Sequence, residues 1–440
     1  MEVSKWIFRH SARLVSAVGL LTTIAQATTY YVGNGPAAND QGNGTSVAKP
    51  FATPQHAADI AKPGDVVLLL SGTYRNTNPD GAVIDISRSG TPDGWIQIKA
   101  APGQHPVLRS TGWAHVNIHG SASYIHIEGL EIYGHATEIP LAEAQKFARD
   151  GLHAYTNSNG ISIDGRNGGP QQPHHIELVG NVIHACPGGG VGAIHSDYLT
   201  IRDNIVYDNA WWSPYETSGI SIYQAWNCDD APGYHNQVIR NQCFGNRNFI
   251  PDIGSHQITD GNGIIFDDGK NKQADSKQGP YRNRTLIANN LCYQNGGSGI
   301  HAFLSEHVDV VNNTCIENNQ CPDIDSGQCF PNSCDDVKFI NNILVGVPNK
   351  RINSNWMNGQ VTWEHNLAWG GTKGEIIGSH DVAADPMIQI SRINDRLKFT
   401  QSPQSAAKNS GLPFSFLKDD LLAHPRHQGK TSDIGCLQLK

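Results

Sequence analysis

The sequence predicts an all-β chain wound as a single-stranded, right-handed parallel β-helix, a solenoid with a short N-terminal capping helix. Three observations predict it. A strand that ends in Asn and two apolar residues recurs, with 23 residues from Asn181 to Asn204, 23 from Asn290 to Asn313 and 24 from Asn342 to Asn366. A second strand type built on Gly-Ile recurs between those copies, at 159–164, 218–223, 262–267 and 298–303. Both alternate with period two and carry no helical period. A unit this short cannot bury its apolar face alone, but a stack of such units can.

Taken in order, residues 1–27 read as a secretory signal peptide. Lys5, Arg9 and Arg13 precede an apolar stretch from Leu14 to Ala25, and Ala25-Gln26-Ala27 offers a small-x-small cleavage site. The chain is therefore expected to be secreted or periplasmic, beginning near Thr28. Residues 53–62 read as the capping helix, with Thr53 as N-cap and Pro54 at its first position. The repeats then run through Asn181, Asn204, Asn241, Asn290, Asn313, Asn342 and Asn366. At each, the Asn is expected in a left-handed bend, its amide bonded to the same amide one coil away. The wider gaps, 37 residues to Asn241 and 49 to Asn290, imply insertions. The irregular region after about 375 is expected to cover the C-terminal end, so 28–440 reads as one capped β-helix domain and as a monomer.

Of nine cysteines, Cys243, Cys292 and Cys315 occupy the slot of Val206 and are expected in an inward aliphatic column. Cys321, Cys329 and Cys334 share one loop, where a local bridge is expected. A formal net charge of −8 argues against a basic groove for nucleic acid. After residue 27 the longest apolar run, Val66 to Leu70, is strand-sized, so no membrane span is expected.

Several motifs carry a resemblance. Thr29-Tyr-Tyr-Val-Gly33, Lys49-Pro-Phe-Ala-Thr53, Pro63-Gly-Asp-Val-Val67 and Ser71-Gly-Thr-Tyr-Arg75 are similar to the N-terminal coil of extracellular β-helix proteins related to family-nine polysaccharide lyases. Ser402-Pro403, Gly411 and Asp433-Ile-Gly435 resemble that family's ending. The resemblance implies a Ca2+ site built of several Asp and a Lys acting as Brønsted base on a uronic acid. The best local match is Asp260-Gly-Asn-Gly-Ile-Ile-Phe-Asp267-Asp268-Gly-Lys270. It implies Asp260, Asp267 and Asp268 as metal ligands. In the family these elements sit on successive coils, with the base Lys on a later one; here they are compressed into one segment.

Stacking the Gly-Ile strands puts Asp164, Tyr223 and Asp267 in one row, with His195 on a coil between. Coils lie about 4.8 Å apart, so the row reads as the floor of a groove. The insertions 208–217, 224–235 and 247–259 are expected to wall it, with Trp211, Trp212, Tyr215 and Trp226 offering flat faces to sugars, and His301 as a further substrate contact. Lys270 or Lys272 is the expected base, with His195, His301 or Tyr223 as alternatives. Asp-Gly and Asn-Gly are also ordinary turn residues. The leading expectation is calcium-assisted β-elimination on an acidic, uronic-acid-containing polysaccharide. An inverting glycoside hydrolase, a uronate epimerase and a non-catalytic carbohydrate-binding protein are the alternatives, which fold cannot separate. A Lys or Arg aimed into the Asp row would favour elimination or epimerisation. Carboxylates facing each other across the groove without a basic neighbour would favour hydrolysis.

Overall fold

The computed structural model describes residues 27–273, 276, 278–393, 395–427 and 429–439. Apart from Ala27, the expected signal segment lies outside the described residues.

The chain climbs through three parallel sheets of 11, 8 and 11 strands. The first sheet runs from Thr29–Val32 to Val361–Glu364. The second, eight-stranded sheet runs from Ile84–Ile86 to Cys329–Asn332. The third runs from Gly72–Arg75 to Val382–Ala383. A typical coil passes from the second sheet to the first and then the third. Each strand pairs with its counterpart one coil below and one above, as at Ile161↔Val191↔Ile220↔Ile264↔Ile300. Those five side chains are buried and form one of the columns filling the solenoid. Val206, Cys243, Cys292 and Cys315 stack in register as another, all fully buried.

The corner between the first and third sheets is an asparagine ladder. Asn290 Nδ2 donates to Val238 O at 2.8 Å and to Asn313 Oδ1 at 2.9 Å, while its Oδ1 accepts from Asn241 N at 2.8 Å and Asn241 Nδ2 at 3.0 Å. The left-handed bend, however, belongs to the residue before the Asn, not to the Asn itself. Asp203, Arg240, Asn289, Asn312, Asn341 and His365 have φ of 60°, 55°, 55°, 55°, 58° and 54°. The ladder Asn must aim its amide inward, so its neighbour makes the reversal. A second ladder, unforeseen in the sequence, joins the third sheet to the second through Asn209, Asn246, Asn295, Asn318 and Gln328.

Helix α1, Pro54–Ile60, is capped by Thr53, whose Oγ1 accepts from His56 N at 3.3 Å, and it buries Pro54, Ala57 and Ala58. Past Gln401 the chain runs along the flank of the solenoid. Leu291, Ile316, Ile343 and Leu367 point outward from the third sheet, and Leu421, Ile434, Cys436, Leu437 and Leu439 cover them. Asn312 donates to Asp433 O and Arg426 to Asn289 Oδ1, which fastens this tail to the corner. The expected C-terminal cover is thus met on the side, because that is where uncovered apolar side chains lie. The expected bridge within Cys321, Cys329 and Cys334 does not form. All nine cysteines are free thiols, and Cys329 Sγ lies 3.3 Å from Cys315 Sγ, on the neighbouring column. Among the described residues no helix is long and apolar enough to cross a membrane.

Candidate active-site groove

The outward side chains of the second sheet form the floor of a groove of about 1200 Å³. One outward row is His119, Asp164, Ile194, Tyr223, Asp267, Phe303 and Asn332; the neighbouring row includes Ser221, Ile265, His301 and Phe330. Asp164, Tyr223 and Asp267 therefore do share a row, with Ile194 between the first two. Trp113, 44% exposed, lies beside one end. Trp356, bridged to Asn332, lies beside the other. Seven coil steps separate them, roughly 34 Å at about 4.8 Å per coil.

The bank at the starts of the strands is acidic. Glu216 stands three residues before Gly219 and Asp260 three before Gly263, and those glycines open strands paired on adjacent coils. The two carboxylates meet at one hydroxyl. Thr259 Oγ1 makes a short contact to Glu216 Oε1 and lies 3.0 Å from Asp260 Oδ2. A hydroxyl carries one hydrogen, so it can donate to only one of the two, and the other contact requires a protonated carboxyl as donor. Burial and the charge of Glu216 push Asp260 up to about 8, against hydrogen bonds from Thr259 and Ser218 that oppose the rise. Glu216 is itself raised by burial and by Asp252. The pair thus holds a proton at neutral pH. Asn262 Nδ2 fixes the other oxygen of Asp260 at 2.6 Å.

On the opposite bank, Asp267 Oδ1 accepts from Gln273 Nε2 at 3.2 Å, and Tyr223 OH contacts Gln273 and Gln224 at 3.3 and 3.0 Å. Asp164 is gripped by Arg166 through Nε at 3.0 Å and Nη2 at 2.8 Å. Burial raises its pKa, but this pairing prevails and holds it below the usual carboxylate range. Arg166 lines the groove and is the one Lys or Arg that does so among the described residues. His301 packs its ring on Phe330, 3.9 Å apart and 16° from parallel; neither ring nitrogen has a partner, and burial holds its pKa down to about 3. It lines the groove as a neutral imidazole.

Other expected site residues fall elsewhere. Asp268 turns away from Asp267 into the corner, fully buried, where its carboxylate accepts from Lys272 N at 2.7 Å, Gln273 N at 3.0 Å and Gln224 Nε2 at 2.9 Å. Asp260 and Asp267 stand at opposite ends of one strand, so the three acids present no common point for a cation. The expected calcium set does not fit this geometry. Lys270 reaches across the corner to Ser333 O at 3.0 Å and Glu306 at 3.6 Å, outside the groove lining. His195 is a left-handed corner residue, φ 49°, whose Nε2 meets Gln224 Oε1 at 3.0 Å. Trp212 is packed with Ala136, Ile139, Ala144 and Ile250, its Nε1 donating to Ala136 O at 2.7 Å, and Trp211 stacks edge-on against it. These rings bury the insertion against the 136–148 segment, which contains helix α2 (Leu141–Phe147), so they offer no face to the groove. Trp226 sits beside His174, away from the groove. Tyr215 alone of these four aromatics lines it, half exposed, its OH donating to Gly151 O at 3.1 Å.

Glu216, Asp252, Thr259 and Arg166 were not singled out by the sequence reading. For Glu216 a signal existed, since it occupies the same register position before its Gly-Ile strand as Asp260. Asp268→Ala removes the acceptor for three donors and loosens residues 269–273, so limited proteolysis should cut there at least 10-fold faster, with the remaining coils protected. Unchanged cleavage would show that the carboxylate does not hold the loop.

Residues 30–181 match the family model described as the Pel9A-like, right-handed beta helix region. No curated protein matches the chain. Among solved structures, the chain is similar to the pectate lyase Pel9A at 15% identity, over 95% of this chain and 98% of that one, with a TM-score of 0.47. It is similar to XylC, solved with xylose, at 13% identity over 94% and 98%, TM-score 0.45. It is also similar to the GH136 lacto-N-biosidase from Eubacterium ramulus at 12% identity over 81% and 67%, TM-score 0.38. At these identities the likeness is one of fold.

Proposed function

We propose that the groove binds a glycan chain and cleaves it by acid–base hydrolysis. One observation carries this reading: a proton-holding pair, Glu216 and Asp260 joined through Thr259, faces the groove across from Asp267. The banks lie a strand apart, about 13 Å between the Cα atoms of Gly263 and Asp267 at roughly 3.3 Å per residue. Inversion works with its two carboxyl groups about 6.5–9.5 Å apart, so the acid and Asp267 must reach toward each other across this span with the sugar and water between them. The Glu216–Asp260 pair protonates the departing glycosidic oxygen, and Asp267 takes a proton from the attacking water. Gln273 and Tyr223 orient Asp267, and Trp113, Tyr215 and Trp356 supply flat faces along the path.

Charge supports hydrolysis over elimination. Glu216, Asp252, Asp260, Asp267, Asp323 and Asp325 line the groove against Arg166, so a neutral glycan suits it better than a polyuronate. No lysine is placed as a base for α-hydrogen abstraction among the described lining residues. Arg166 favours a second reading, since a guanidinium beside the row can pair with a uronate carboxylate.

The test is a panel of neutral and acidic polysaccharides assayed in parallel for new reducing ends and for absorbance near 232 nm, with calcium and with EDTA. New reducing ends with a flat 232 nm signal, unchanged by EDTA, are expected. A calcium-dependent rise at 232 nm would overturn hydrolysis in favour of elimination. Silence on every polymer, with binding retained, would leave a carbohydrate-binding protein and overturn catalysis.

A further inference from the structure

The structure holds a second cluster with ligand chemistry, on a corner remote from the groove. Glu364 ends the last strand of the first sheet, His365 makes the left-handed bend after it, and His380 lies in the following loop. One ligand atom from each lies within 4.8 Å of the other two. Among the described residues this is the group of three His, Cys, Asp or Glu side chains that converges so closely.

The surroundings of these side chains set their orientation. His365 Nδ1 lies 2.9 Å from Ser410 O, and a carbonyl can only accept, so Nδ1 carries the hydrogen and Nε2 presents a lone pair. The His365 and His380 rings lie 4.9 Å apart and 12° from parallel. His380 Nδ1 is 2.9 Å from Glu364 Oε2, and Ser379 Oγ donates to Glu364 Oε1 at 2.9 Å. Both oxygens of Glu364 are thereby held at the corner, beside the two imidazoles.

We propose that Glu364, His365 and His380 bind a divalent transition-metal ion of the Zn2+ class. Two imidazoles and a carboxylate suit such an ion, and water completes the shell. On binding, His380 and Glu364 exchange their mutual hydrogen bond for bonds to the ion. It clips the loop ending at His380 to the corner after Val361–Glu364, near the end of the parallel stack. The half-exposed position gives the ion an entry path. This site is independent of the groove reading, and its failure would leave that reading untouched.

The experiment is titration of the untagged mature protein with ZnCl2 by calorimetry at pH 7.5, with Co2+ absorption in the visible region as a second readout. His380→Ala and His365→Ala are compared with His119→Ala, a half-exposed histidine paired with Asp85 elsewhere. His380 is exposed, so its removal should leave the metal-free melting temperature unchanged. One tight equivalent is expected, weakened at least 10-fold in both site variants and kept in His119→Ala, with zinc raising the melting temperature of the wild type and of His119→Ala but not of the two site variants. Equal binding by wild type and His380→Ala, or no binding tighter than that variant shows, would overturn the site.

Discussion

Asp260→Asn lowers kcat for glycan hydrolysis by about 10²- to 10⁴-fold and at the same time stabilises the protein at neutral and alkaline pH. The first effect follows from removing the proton donor, whose contribution in acid–base catalysis is of that size. The second follows from linkage. Burial and the charge of Glu216 push Asp260 from the ordinary carboxylate value of 3.8, which it has when unfolded, up to about 8 in the fold. Its folded pKa is raised, so its full contribution to stability is present below about 4 and declines as pH climbs through about 8. Asn is neutral throughout and keeps the oxygen that accepts from Asn262. The melting-temperature difference between variant and wild type should therefore be near zero at pH 4 and grow until about pH 8. Above that it should be flat, at a stability gain on the order of a few kcal/mol. Glu216→Gln should shift the same pH profile less, because Glu216 is the more exposed partner. Parallel melting curves at every pH, or unchanged kcat, would sink the assignment of Asp260 as the protonated acid. The pairing of lost turnover with gained stability is the signature to look for, since a merely structural residue would lose both.

Asn290→Ala destabilises the chain by about 3–5 kcal/mol. The substitution leaves Asn241 N without its acceptor and takes the side-chain donor from Val238 O and from Asn313 Oδ1, which keeps only the backbone N–H of residue 290; each stranded buried group costs about 1–3 kcal/mol. The rungs polarise one another, so the loss spreads to neighbouring coils. Urea denaturation of the protein, comparing midpoints with those of Gln294→Ala on the solvent side of the next corner, checks it. Gln294 bonds Glu317 at an exposed site and should cost under about 0.5 kcal/mol. A midpoint for Asn290→Ala matching that control would mean that water or relaxation replaces the ladder.

How far the site could be read from the chain depended on the residue. Asp164, Tyr223 and Asp267 were legible as a row because β alternation sends every second side chain to the same face, and the coil repeat stacks equal positions. His301 lies on the neighbouring outward row, and Tyr215 reaches the groove from the insertion expected to wall it. Trp211 and Trp212 were misread. An aromatic in an insertion buries itself against whatever apolar surface is within reach, and here that surface is Ala136, Ile139 and Ala144 of a different insertion. Asp267 and Asp268 read alike as an acidic pair, yet one backbone step at a left-handed corner, φ 47° at Asp268, sends the second inward to cap the next loop. Lys270 was drawn off by Ser333 and Glu306, which are distant in sequence.

Local periodicity thus reveals which face of each strand points out, where the coils turn and that Asn lines the bends, since these follow from contacts between equivalent positions one repeat apart. The partners that insertions find do not follow from any period. The meeting of Glu216, Thr259 and Asp260 on one hydroxyl, the turning-in of Asp268, and the tail's cover of Leu291, Ile316, Ile343 and Leu367 all join segments of unequal length. Loop length and packing set where such side chains arrive, so only the folded chain decided them.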